Sequence, residues 1–133
     1  MKYLKTKYRN IRHLPVFIFI WLPLVFVLIL DIIIEVYHRI SFPIYEVPYI
    51  IRGKYIKIDR HKLSYLGFRQ KIYCAYCGYV NGVFAYWVKI GGETERYWCG
   101  IKHKAGNGFV EPEHQKEFAE YGNKEEFLEK YNS

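Results

Sequence analysis

No residue from Leu14 to Leu30 carries a charge, and most of that run is Ile, Leu, Val, Phe or Trp. An ordinary surface helix needs a polar face, so the run excludes one. A helix buried inside a soluble protein is a poor alternative, because 133 residues cannot cover it on every side. The run also lacks a small-residue cleavage site at its end and is too long for a signal-peptide core; Asp31 and Glu35 follow instead. The expectation is a retained membrane anchor. Other absences narrow the chemistry. There is no Ser-His-Asp set, no phosphate-binding loop and no His-Glu-x-x-His helix. Internal repeats and low-complexity segments are missing too. Cysteine is scarce, at three residues, and all three fall into one pattern.

The segment from Pro15 to Tyr37 would be about 34 Å long as a helix. A bilayer core is roughly 30 Å thick, so the segment spans it with modest tilt. A re-entrant hairpin bent at Pro23 is the alternative, but no Gly or Asn stands nearby to make the reversal. A continuous helix kinked at Pro23 and extending to Ile40 is expected.

The net charge is +7, unevenly spread. From Glu111 to Ser133 seven acidic residues face three lysines, a net of −4, so the remainder carries +11. Lys2, Lys5, Lys7, Arg9 and Arg12 precede the anchor. Arg39, Arg52, Lys54 and Lys57 follow it and are assigned to lipid headgroups. The lipid bilayer already explains this charge, so no nucleic-acid partner is expected. The basic flanks nearly tie, which leaves orientation open. Free thiols survive in the cytoplasm, so the C-terminal domain is placed there, on a single-pass protein of the cell membrane.

Five segments are expected. Residues 1–13 form a basic interfacial arm, and residues 14–40 the anchor helix. Residues 41–72 make a juxtamembrane basic and aromatic stretch. Within it Ser41 to Pro48 is irregular, Tyr49 to Ile58 is a hairpin or extended strand, and Asp59 caps a short helix ended by Gly67. Residues 73–110 hold the cysteines, on a strand-and-turn stretch followed by a helix from Val83 to Tyr97 that Gly91-Gly92 weakens. Residues 111–133 form an acidic tail with two short, exposed helices. The fold class is therefore α+β: one transmembrane or re-entrant helix, then a compact, mostly helical metal-knuckle domain.

Cys74-Ala75-Tyr76-Cys77 is followed, after 21 residues, by Cys99 and then His103. A two-residue gap lets a tight turn aim both sulfurs at one ion, and Gly78 relaxes that turn. Cys74, Cys77, Cys99 and His103 would complete a tetrahedral Cys3His set for zinc, with iron as the alternative. Inert buried thiols, a disulfide with one thiol left over, and a redox pair stay open as competing readings. His114 could replace His103, and His61 reads as an exposed loop residue.

The segments KYIKIDRHKLSYL, YCAYCGYVNG and TERYWCGIKH resemble a family of short bacterial single-anchor membrane proteins with no assigned activity. The likeness covers roughly Asp31 to His103. It implies one anchor helix, a basic juxtamembrane stretch and a Cys-x-x-Cys plus Cys-x-x-x-His module, and no reaction. The knuckle alone also resembles those of zinc ribbons and rubredoxins.

Asp31, Glu35 and His38 stand at i, i+4 and i+7, on one face of the anchor helix. They read as a polar helix end or as a docking face for a partner helix, since polar groups near hydrocarbon need partners. Glu35-x-x-His38 also has a di-iron spacing, but such a site needs several helices. Together these readings predict a non-catalytic, zinc-binding accessory subunit or adaptor of a larger membrane complex, with other integral-membrane subunits as partners. The alternative is a tethered redox protein that uses an iron-thiolate centre or the paired thiols.

Overall fold

The computed structural model describes residues 14–106 and 108–131, so the basic arm expected over residues 1–13 lies outside the described residues. The chain divides into two compact units, one up to Tyr37 and one from His38 onward. Helix α1 runs Leu14–Ile44, α2 runs Phe68–Trp98 and α3 runs Lys124–Tyr131, with short 3-10 turns at Arg52–Lys54, Arg60–Lys62 and Glu113–Gln115. Among the described residues there is no strand, only an isolated parallel bridge between Ile101 and Ala119. The α+β expectation is therefore corrected to an all-helical fold.

The 31 residues of α1 extend about 46 Å. The helix passes through Pro23 without a break, which removes the hairpin alternative. Beyond Tyr37 it enters the second unit and stops where Glu46 turns left-handed at φ 57°. The Val47 N–H donates to the Phe42 carbonyl at 3.0 Å and the Glu46 N–H to the Pro43 carbonyl at 3.3 Å. That is a Schellman closure, and it satisfies carbonyls the helix leaves without partners.

The second correction concerns residues 68–82. The expected strand and turn around Cys74 and Cys77 is the first half of α2. Buried or half-buried Tyr79, Val83, Tyr86 and Ile90 recur at spacings of four, three and four, and this helical period overrides the local β-branched and aromatic propensity. Gly67 does not end a short helix after Asp59; it precedes α2, and Gln70 reaches back to accept its N–H at 2.9 Å. Asp59 forms no side-chain cap. The segment Tyr49 to Ile58 is neither hairpin nor strand, but a chain with one 3-10 turn.

Glycines inside α2 let main chain lie on the helix. A Cβ at Gly78 would stand 2.9 Å from the Lys57 carbonyl oxygen, and one at Gly82 would stand 2.8 Å from the Tyr55 carbonyl oxygen and from the Ile56 Cα. Residues 55–58 are thus pressed against a Gly-x-x-x-Gly face. Each glycine costs about 1 kcal/mol of helix propensity, which the close approach offsets. The Gly91-Gly92 pair does not break the helix. Gly92 receives the ring of His114, where a Cβ would come within 2.8 Å of Cγ.

The acidic tail is folded back on α2. Phe118, Ala119 and Gln115 are buried. Glu95 accepts from Gln115 Nε2 at 2.7 Å and bonds His114 Nε2 at 2.6 Å, while Arg96 pairs with Glu117 at 3.4 Å. Gly100, at φ 61°, turns the chain out of α2 and seats the Tyr131 ring. Asn123 caps α3, accepting the Glu126 N–H at 3.1 Å. Of the two tail helices expected, only the second is an α-helix; the first is the turn Glu113–Gln115.

Candidate functional site

Cys74 and Cys77 lie in the second and third turns of α2, and Cys99 stands at its far end. Cys77 and Cys99 are 22 residues apart, which along a continuous helix is about 33 Å. Four residues of extended chain reach at most about 14 Å, so His103 cannot return to the first pair. Zinc needs its ligands within about 2.3 Å, so the residues do not fit a Cys3His zinc or iron site. Among the described residues, no three His, Cys, Asp or Glu side chains are grouped to hold a metal. Substituting His114 does not repair the set, because it packs on Gly92 and Glu95.

All three cysteines are free thiols, Cys77 and Cys99 exposed and Cys74 half-buried. At i and i+3 in a helix, Cβ atoms stand about 5–6 Å apart, whereas a disulfide needs about 3.5–4.5 Å. Their Cβ atoms must therefore move closer together for a disulfide to form.

Asp31 and His38 are buried and Glu35 is half-buried. They follow Leu24 and Val27 at helical spacing on the covered stripe of α1. His38 is fully used within the second unit. The Ile50 N–H donates to its Nε2 at 3.2 Å, and its Nδ1 is 2.8 Å from the Tyr86 hydroxyl. Accepting at Nε2 places the proton of a neutral imidazole on Nδ1, where it donates to the phenol oxygen. Tyr49 stacks on the same ring at 4.1 Å, and Phe42 meets it edge-on at 4.3 Å. These contacts correct the docking assignment: His38 joins the end of α1 to the middle of α2 and is not presented to a partner helix. Tyr86, its counterpart, was missed, though it stands between Val83 and Ile90 on the buried stripe.

The residues assigned to headgroups divide. Arg39, Lys54 and Lys57 are exposed. Arg52 is half-buried, its guanidinium 5.5 Å from the centre of the Tyr86 ring, a cation–π contact inside the fold. In the tail, Lys102 hydrogen-bonds Glu120 at 2.6 Å and pairs with Glu111 at 3.4 Å; these contacts, Glu120 first, raise its pKa.

What remains turned outward is the apolar surface of α1. Ile18, Phe19, Ile32 and Ile40 are all more than half exposed. Residues Ile18–Ile44 form the one helix among those described that is long and apolar enough to cross a membrane, and only 11% of its most apolar window is buried. No family model, no curated protein and no solved structure matches this chain.

Proposed function

We propose that this protein is a single-pass membrane protein whose helical body, on the cytoplasmic side, serves as a non-catalytic accessory subunit or adaptor of a larger membrane complex. The observation that carries the reading is α1, a helix of 31 residues whose apolar side chains are left outward by the fold. In water such a surface is costly at about 25 cal/mol per Å2, whereas a bilayer covers it. The reactive side chains of the body support a non-catalytic role. The thiols are spread along α2, and His38 and His114 are engaged in packing and internal hydrogen bonds. The proposal carries no metal.

Carbonate washing of membranes tests the anchor. The protein stays in the pellet, and deleting Val16 to Leu30 releases it. Release of the intact chain by salt alone overturns the reading. Purification in mild detergent with mass spectrometry tests the adaptor role: stoichiometric integral-membrane subunits are expected, and a monodisperse protein free of them speaks against it.

A further inference from the structure

The basic residues of the second unit fall into two classes. Around the C-terminal half of α2 most are paired within the fold: Lys89 with Glu93, Arg96 with Glu93 and Glu117, Lys102 with Glu111 and Glu120, Lys130 with Glu126, while Lys104 and Lys124 make no ion pair among the described residues. Residues 57–73 differ. Five Lys or Arg stand there against a single acid, Asp59, which is paired with Lys57 at 3.5 Å. Arg60, Lys62 and Arg69 are exposed and make no ion pair among the described residues.

The same segment leaves apolar groups outward. Tyr65 is 78% and Phe68 80% exposed, more than any other aromatic ring among the described residues. Phe68 and Ile72 stand at i and i+4, on one face of the first turns of α2, with Tyr65 just before them. The platform beneath is built: the turn Arg60–Lys62 packs on α2, and the chain just before it is pressed onto Gly78 and Gly82. A segment already held in shape loses little freedom on binding.

We infer that residues 57–73 form a second membrane contact, with Arg60, Lys62 and Arg69 on anionic headgroups and Tyr65, Phe68 and Ile72 at the interface. Basic clusters close to a membrane anchor are drawn to anionic lipid, which is concentrated in the cytoplasmic leaflet. Aromatic rings settle at headgroup depth, where one edge is wet and one dry. Twelve residues separate the end of α1 at Ile44 from Lys57, a tether of at most about 45 Å. This contact rests on the anchor reading and extends it. It gives the chain a second attachment besides α1.

The test uses the full chain in nanodiscs whose lipids carry brominated acyl chains, with F68W as a conservative probe at an exposed position. Entry into the discs is read first, by co-elution and carbonate resistance. In anionic discs the added indole is blue-shifted and quenched beyond the background of the native tryptophans. In zwitterionic discs, or in F68W carrying R60Q, K62Q and R69Q, the quenching is lost, and high salt weakens it. A wet indole in both kinds of disc, or equal quenching in both, overturns the contact and leaves the anchor standing. Failure to enter the discs overturns the anchor and the contact together. An indole that responds to an RNA oligonucleotide and not to anionic lipid assigns the patch to nucleic acid and overturns the proposal.

Discussion

Helices α1 and α2 each have 31 residues, and almost nothing else about them agrees. The first holds no glycine and three prolines; the second holds no proline and glycines at 78, 82, 91 and 92. The first turns bulky Ile, Leu and Phe outward along most of its length. The second buries one stripe under a turn, an extended chain and the folded-back tail. The contrast is between two ways to cover a long helix. One keeps bulky apolar side chains outward, the surface that the proposed anchor would give to lipid. The other is covered by its own chain, whose close approach needs side chains removed.

The largest effect that exposes this contrast is at the joint. His38 is fully buried and serves two polar partners, the Ile50 N–H and the Tyr86 hydroxyl. His38→Ala leaves both without it and opens a cavity under Tyr49, a loss of about 3 kcal/mol. The denaturant midpoint in detergent falls accordingly, and tail residues near Ala119 keep their relative protection.

Next comes a bulk test on each helix. Gly82→Val drives a side chain into the main chain at Tyr55 and Ile56, and costs about 2–3 kcal/mol. Removing bulk from α1 at an exposed position, Ile32→Ala, changes the same midpoint by no more than about 0.5 kcal/mol. Equal sensitivity at the two positions would break the comparison.

A smaller effect separates two neighbours. A Cβ at Gly91 meets nothing within 4 Å, whereas one at Gly92 meets His114. Gly91→Ala therefore stabilises α2 by about 0.5–1 kcal/mol through the unfolded chain. Gly92→Ala has the opposite sign, and thermal melts of the pair read the difference.

These positions also show what the sequence made legible. The long apolar helix was readable, because an uncharged run of that length leaves little room for a polar face. The tail helix Lys124–Tyr131 was readable as a short helix following the Tyr121-Gly122-Asn123 break. The Cys-x-x-Cys pair was misleading, because a two-residue gap is knuckle spacing and helical i, i+3 spacing at once. Only the apolar period running upstream from Ile90 through Val83 to Tyr79 separates the two. Once α2 is continuous, Cys74 and Cys77 are carried away from Cys99 and the four-ligand set dissolves. The glycines misled in the same way. Propensity reads Gly91-Gly92 as a break, and only tertiary packing says that Gly92 has a ring to receive. His38 was legible as a polar residue on the right face, but not as an internal acceptor. Its partners are 12 and 48 residues away in sequence.

The smallest effect concerns the cover itself. The cover of α2 includes a tail held by charge, whereas the apolar surface of α1 carries nothing that titrates with it. Glu126 hydrogen-bonds Lys130 at 2.7 Å and accepts the Glu120 N–H at 3.0 Å. These contacts, the Lys130 bond first, lower its pKa from the ordinary 4.5. The sign follows directly: a carboxylate held below its unfolded value favours the folded tail above that value, and the contribution is lost as pH falls through the folded one. The group is solvent-exposed, so salt screens the effect and its size is small. Lys102 works in the other direction. Its raised pKa keeps its bridges to Glu120 and Glu111 through neutral pH, and they are lost only as pH rises past 10.5. Acidification below about pH 4.5 should therefore loosen α3 and its hold on residues 117–120 before the His38–Tyr86 joint opens. Amide exchange of Glu120 and Phe127 against that of Ile50, from pH 6 down to pH 3.5, reads the order. In Glu126→Gln the early acid step disappears, and the tail is slightly looser wherever Glu126 would be ionised. Simultaneous opening of tail and joint would show that the cover over α2 and the end of α1 form one cooperative unit.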